Sequence, residues 1–283
     1  MWKNYAEKFY GAAFRALPAS RRALVFKHMM LHPNLPLAYV RVPKAACSTV
    51  IARLLGSVNA AEGTRELHSS NRLITFDQRE FGKRLREVSV GPSQLFTLVR
   101  NPFSRLLSAY REKIELDLDG PRYRRELDIP ADADIGFEAF VERTVERTPM
   151  ELNPHFRPQA LTTRADLVAY DRIFRLEQMG EALTWLDEIL PTSSSAKVVA
   201  PHATHANERV LSSYTPRLTR MVADYFADDF RLFGYLPDPL QMAKLEATSQ
   251  QGNVALADFT MGPVIAADAR LRAYAPSLLR RHR

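Results

Sequence analysis

The chain has 283 residues, 46% of them hydrophobic, 25% charged and 10% aromatic, which excludes a disordered or collagen-like polymer and suits one large globular domain or two modest ones. Its net charge of +7 suggests an anion binder, but the excess sits at the ends: six basic residues against Glu7 in residues 1–36, six against four in 238–283, and 27 against 27 between them. That distribution argues against non-specific nucleic-acid binding, which needs clustered phosphate contacts, so no nucleic-acid partner is expected and any anion site in the middle must be built locally.

In chain order, residues 1–36 predict a helical arm, with Trp2, Tyr5, Phe9, Ala12 and Ala13 at helical spacing and a stop at His32, Pro33, Asn34 and Pro36. Leu37–Val42 predicts a short strand, followed by the loop Pro43-Lys44-Ala45-Ala46-Cys47-Ser48-Thr49 and a helix through VIARLL. Gln94–Val99 predicts a second strand, and FSRLLSAYREKI after Arg100-Asn101-Pro102 a second helix. The polar, Pro-bearing stretch 117–134 predicts an exposed excursion before a helix at Phe137–Val145. Leu167–Phe174 predicts a third strand, and GEALTWLDEIL and YTPRLTRMVADYFADDFRLFGY predict two later helices. Repeated strand-loop-helix units predict an α/β fold with a central parallel sheet flanked by helices, and ligands at the strands' carboxyl ends. The expected division is a helical arm over 1–36, an α/β domain over 37–237 and a basic helical tail over 238–283.

A loop entering a helix presents unpaired N–H groups and the positive end of the helix dipole, which suits phosphate. Pro43–Thr49 adds small residues, two hydroxyls and the Lys44 ammonium. It lacks the glycines and lysine placement of a Walker A loop, which disfavours an ATP-magnesium site. The plainer reading is a helix entry capped by Ser48. The second segment, VRNPFSRLLSAY, places Arg100 at a strand end and Ser108 two helical turns further on.

Together these segments resemble the P-K-x-x-x-[ST]-[ST] loop and V-R-[DN]-P-x-x-R-x-x-S-x-Y segment of sulfotransferases. ELNPHFRPQ, AYDRIFRLEQM and YFADDFRLFGY resemble further stretches of family-2 carbohydrate sulfotransferases of the HNK-1 and chondroitin 4-O type, over about residues 37–236. The resemblance implies the P-loop-like three-layer fold of that family and the co-substrate 3′-phosphoadenosine 5′-phosphosulfate, with sulfuryl transfer to a hydroxyl of a carbohydrate or glycolipid. It assigns Lys44 to the bridging and sulfuryl oxygens, the loop Pro43, Lys44, Ala45, Ala46, Cys47, Ser48 and Thr49 to the 5′-phosphate, and Arg100 with Ser108 to the 3′-phosphate. His68, between the two segments, and His155, in the HFRP stretch, compete as general base, each with a structural-histidine alternative.

Arg157, Arg175 and Glu177 are candidate outer contacts or a sheet-end network. Cys47 reads as packing, although a helix-start thiol can have a lowered pKa. Asp228 and Asp229 read as helix solvation. No metal is expected, since no HExxH, CxxC or DxDxDG pattern is present. The five arginines from Arg270 onward read as a solvated tail, with contact to anionic lipid or polyanionic glycan as the alternative. The charged start and single cysteine lead to an expected cytoplasmic location, with a peripheral inner-membrane contact left open, in a soluble bacterial-type member. The rivals are a P-loop-like kinase using ATP and magnesium and a non-catalytic polyanion-binding module.

Overall fold

The structure, a computed structural model, describes residues 16–18, 25–32, 35, 37–55, 74–75, 94–116, 121–190, 210 and 212–239. His68, the C-terminal arginines and most of the expected N-terminal arm lie outside the described residues.

Five strands form one mixed sheet: β1 (Met29–Leu31), β2 (Leu37–Val40), β3 (Ile74–Thr75), β4 (Gln94–Val99) and β5 (Arg172–Arg175), in the order β3-β1-β2-β4-β5. The expected parallel sheet is present in β2, β4 and β5, and antiparallel strands extend it on one side. β2 pairs parallel with β4, and β4 with β5, but β1 runs antiparallel to both β2 and β3. The expected helix up to residue 36 gives way. Among the described residues the helix before β1 is Val25–His28, and it stops there because Met29, Met30 and Leu31 are all buried and their backbone groups pair with β2.

Period-two alternation explains how the sheet is covered. Tyr39, Phe96 and Leu98 face a cluster with Val50, Ile51 and Leu54 of α1 (Cys47–Leu55). Ala38, Val40 and Leu95 face the other side, against Val25, Phe26 and Val168. A larger core joins α2 (Pro102–Tyr110) to the later helices through Phe103, Phe140, Phe156, Val222 and Phe230.

α2 begins where the sequence dictates: Asn101 Oδ1 accepts from the Phe103 and Ser104 N–H groups, and Pro102 occupies the first turn. It continues into a π-helical turn, Arg111–Glu115, closed by Leu116 N–H donating to Arg111 O at 2.9 Å. α3 (Arg122–Glu126) interrupts the expected exposed excursion, and Tyr123, Leu127 and Ile129 are buried, so that stretch is anchored to the core. α4 (Phe137–Val145) falls as expected.

After α5 (Gln159–Thr163), residues 167–171 remain outside the strand predicted there, because Arg164 turns left-handed (φ 52°) and only Arg172–Arg175 pairs with β4. α6 (Met179–Ile189) follows. The last predicted helix is two: α7 (Pro216–Tyr225), capped by Thr215, and α8 (Ala227–Phe233), which ends on left-handed Gly234.

Candidate active site

β2 and β4 are adjacent and parallel, so the loops leaving their carboxyl ends emerge side by side. The first is the turn Pro43–Ala46. Lys44 and Ala46 adopt left-handed φ values of 69° and 53°, conformations that L-residues rarely hold. Such a turn gathers backbone N–H groups into an anion-binding concavity without glycines. α1 starts at Cys47, so Ser48 and Thr49 occupy its first turn and Ser48 is not its cap. Burial raises the Cys47 thiol above its ordinary pKa, against the fall a helix start can produce and in keeping with a packing role.

From the second loop, Arg100 reaches back: its guanidinium donates to Lys44 O at 3.3 Å and to Ser104 Oγ at 3.1 Å. Its backbone is fixed by Gln159, whose Oε1 accepts from Arg100 N–H at 2.9 Å and whose Nε2 donates to Arg100 O at 2.8 Å. Ser108 is buried two turns along α2.

The Lys44 ammonium pairs with Glu112 on the π-helical turn, and the neighbouring Lys113 Nζ holds the other Glu112 oxygen at 2.6 Å. Burial pulls the Lys44 pKa below its ordinary value, with Glu112 opposing. Burial would push Glu112 up, but Lys44 and Lys113 outweigh it and hold the carboxyl below its usual range.

Arg105, fully buried, ties the site to the core. Its Nε donates to Pro43 O at 3.0 Å, and its two terminal nitrogens donate to Arg157 O at 2.9 Å and Pro154 O at 2.7 Å. One guanidinium thus joins the lysine loop to the segment carrying His155. The half-buried His155 has Nδ1 2.7 Å from Asn153 Oδ1, which accepts from a protonated Nδ1 and leaves Nε2 as the basic nitrogen of the neutral ring. Tyr123 stacks edge-on to the imidazole, its hydroxyl 3.5 Å from Nδ1. Burial, reinforced by Lys113, Lys44, Arg105 and Arg41, pushes the His155 pKa well below its ordinary value.

Other sequence expectations sort by contact. Glu177 accepts from Asn101 N–H at 2.9 Å and Tyr235 OH at 2.7 Å, while Arg175 donates to Phe233 O, making a sheet-end network. Arg157 donates to Met150 O and Leu152 O within its own loop. Asp229 corrects the solvation reading: it is fully buried and accepts from Gln159 N–H, Gln159 Nε2 and Ala160 N–H. Asp228 pairs with Arg231 at the surface. Arg105, Gln159, Glu112 and Lys113 were missed as site components. The repeated arginine of the R-N-P-x-x-R segment was the available signal for Arg105.

The model of the sulfotransferase family, Sulfotransfer_2, matches residues 27–236, about three quarters of the chain. The chain belongs to this sulfotransferase family. Among its relatives, carbohydrate sulfotransferase 14 of Mus musculus is 27% identical over 259 residues and that of Homo sapiens 28% over 261, each match covering 83% of this chain. Carbohydrate sulfotransferase 8 of Mus musculus is 24% identical over 258 residues, covering 79% of this chain and 60% of its own. The matches to carbohydrate sulfotransferase 14 cover 66% of those proteins, just under two thirds of their length. No solved structure matches the chain.

The expected cytoplasmic location is withdrawn, since the relatives found are carbohydrate sulfotransferases and nothing in the match supports a cytoplasmic address. A charged first stretch and a single cysteine describe composition and carry no address. Among the described residues, no helix is long and apolar enough to cross a membrane.

Proposed function

We propose that the chain transfers a sulfuryl group from 3′-phosphoadenosine 5′-phosphosulfate to a hydroxyl of a carbohydrate, with residues 37–237 and the preceding strand β1 as the transfer unit. The observation that carries this reading is the meeting of Arg100 with the Lys44 turn at the carboxyl ends of two adjacent parallel strands. The residues fit an anionic nucleotide: Lys44, Arg100 and Lys113 gather beside the turn with Glu112 as the acid that pairs both lysines, so positive charge is in excess there.

When bound, the donor supplies an activated sulfuryl group, and the protein's task is to position it and meet its charge. Lys44 serves the bridging and sulfuryl oxygens, the Pro43–Thr49 turn and helix start the 5′-phosphate, and Arg100 with Ser108 the 3′-phosphate. His155, neutral at pH 7 with Nε2 unprotonated, is suited to take the acceptor proton; His68 remains its competitor. Glycolipid acceptors, and contacts of the basic ends with membrane or polyanion, belong to this same proposal.

The test is transfer of labelled sulfate from the donor to a panel of desulfated glycosaminoglycans and neutral oligosaccharides, without added metal. Transfer by the wild type and a loss of at least about 100-fold in Lys44→Ala are expected. Equal rates in Lys44→Ala and wild type, or stabilisation by ATP with magnesium and none by adenosine 3′,5′-bisphosphate, would overturn the reading.

A further inference from the structure

Glu112 and Lys113 are consecutive, and on an α-helix consecutive side chains point about 100° apart. Here both serve one cluster. The Lys113 side chain is 9% exposed and that of Lys44 11%, and a single carboxylate holds both ammonium groups, one on each oxygen. The π-helical turn at Arg111–Glu115 brings this neighbouring pair to the Lys44 loop.

Lys113 also looks toward the other half of the site. Its Nζ lies 5.2 Å from the centre of the Tyr123 ring, and Tyr123 in turn touches His155 through ring edge and hydroxyl. Among the charged groups acting on His155, Lys113 has the largest effect, ahead of Lys44. The second ammonium therefore links the carboxylate that holds the donor-side lysine to the aromatic ring that touches the imidazole.

We propose that Lys113 is a second cation of the transfer step, meeting the sulfuryl oxygens beside Lys44, with Glu112 as the positioning residue that sets the separation of the two ammonium groups. This rests on the sulfuryl-transfer reading above. In the step, the acceptor oxygen forms a bond to sulfur, the bond from sulfur to the 5′-phosphate oxygen breaks with its electron pair leaving on that oxygen, and the hydroxyl proton passes to the base. Lys113 exchanges no proton and forms no bond to sulfur. It offsets the charge on oxygens that the spent nucleotide no longer carries.

That distinction supplies the experiment. Binding of adenosine 3′,5′-bisphosphate, which lacks the sulfuryl group, and single-turnover sulfate transfer to the glycan panel are measured for the wild type, Lys44→Ala, Lys113→Gln and Lys113→Met. Both Lys113 variants are expected to bind the bisphosphate within threefold of wild type and to transfer at least 100-fold more slowly, with the acidic limb of the pH–rate profile moved to higher pH. Glu112→Gln is expected to slow transfer at least tenfold, again with bisphosphate binding within threefold. Lys113→Met keeps the buried stem, so it tests the ammonium even where Lys113→Gln does not fold. Transfer within threefold of wild type in a folded Lys113 variant overturns the second-cation role while Lys44→Ala remains inactive. Wild-type transfer by Lys44→Ala, or none by the wild type, overturns the underlying reading instead.

Discussion

Arg105 Nε donates to the carbonyl of Pro43 at 3.0 Å from a position with no solvent exposure, so the residue that opens the lysine loop is held by the interior of α2. The same side chain holds Pro154 and Arg157 on either side of His155. Burial lowers its pKa to about 10, which leaves it charged at neutral pH, with Asp229 helping to retain the proton. Lysine cannot reproduce three donors in a planar fork. Arg105→Lys is therefore expected to lose at least about 100-fold in transfer and about 3–5 kcal/mol in stability, read by sulfate transfer and urea unfolding. A variant within threefold of wild-type rate would show that the two loops hold their positions without it.

Asp229 predicts an opposite pH effect to a salt-bridged surface acid. Burial raises its folded pKa from 3.8 to about 6, although Arg105 and the Gln159 and Ala160 donors pull it down. Between about pH 4 and pH 6 the folded form retains a proton that the unfolded form has released, so this group's contribution to stability declines as pH rises through that window. Asp229→Asn is expected to remove that component, seen by comparing urea midpoints at pH 4.5 and 7. Because Gln159 links Asp229 to Arg100, the same variant is expected to weaken binding of adenosine 3′,5′-bisphosphate more than that of adenosine 5′-phosphate.

His28 works in the other direction. It is 3% exposed, neither ring nitrogen has a hydrogen-bond partner among the described residues, and burial, with Arg41, Arg157 and Lys27, lowers its pKa to about 3. The unfolded imidazole takes up a proton near pH 6.5 while the folded one resists it, so stability is lost as pH falls from about 6.5 toward 3. His28→Leu removes both the unpaired nitrogens and the acid sensitivity. A variant whose melting temperature falls as steeply with acid as the wild type's would refute this.

For His155, the burial and the neighbouring cations that keep the ring neutral also set the pH range of activity. The acidic limb of kcat/KM is expected below the ordinary histidine pKa of about 6.5, and His155→Gln is expected to abolish it with a rate loss of about 10²–10⁴-fold. An unchanged profile in His155→Gln, with loss of the limb in His68→Ala, would move the base to His68.

How far the sequence carried these conclusions depends on the length and isolation of each signal. β4, α4 and the first turn of α2 are bounded by residues whose chemistry acts locally: a run of apolar residues, Gly136, and Asn101-Pro102. β1 was missed because three residues are too few to show alternation, and Met29-Met30-Leu31 continues the apolar spacing of the preceding helix. The Lys44 and Arg100 loops were legible as motifs, since each carries its charge at a strand end. Asp229, Arg105 and Lys113 were not, because a charged residue in a helical stretch reads as solvated until its neighbours in space are known. Each becomes informative only through partners 49 to 70 positions away or through a local change of helical pitch.

The wide turn at Arg111–Glu115 makes the chain unusually intolerant of length changes there. Excising one residue would let the ordinary hydrogen-bond ladder close, removing the wide turn that seats Glu112 and Lys113 together and so carrying Lys113 off its aromatic seat and away from the loop lysine. Substitutions at its outward positions should pass unnoticed, whereas a single-codon deletion would silence the protein while leaving its core composition almost untouched.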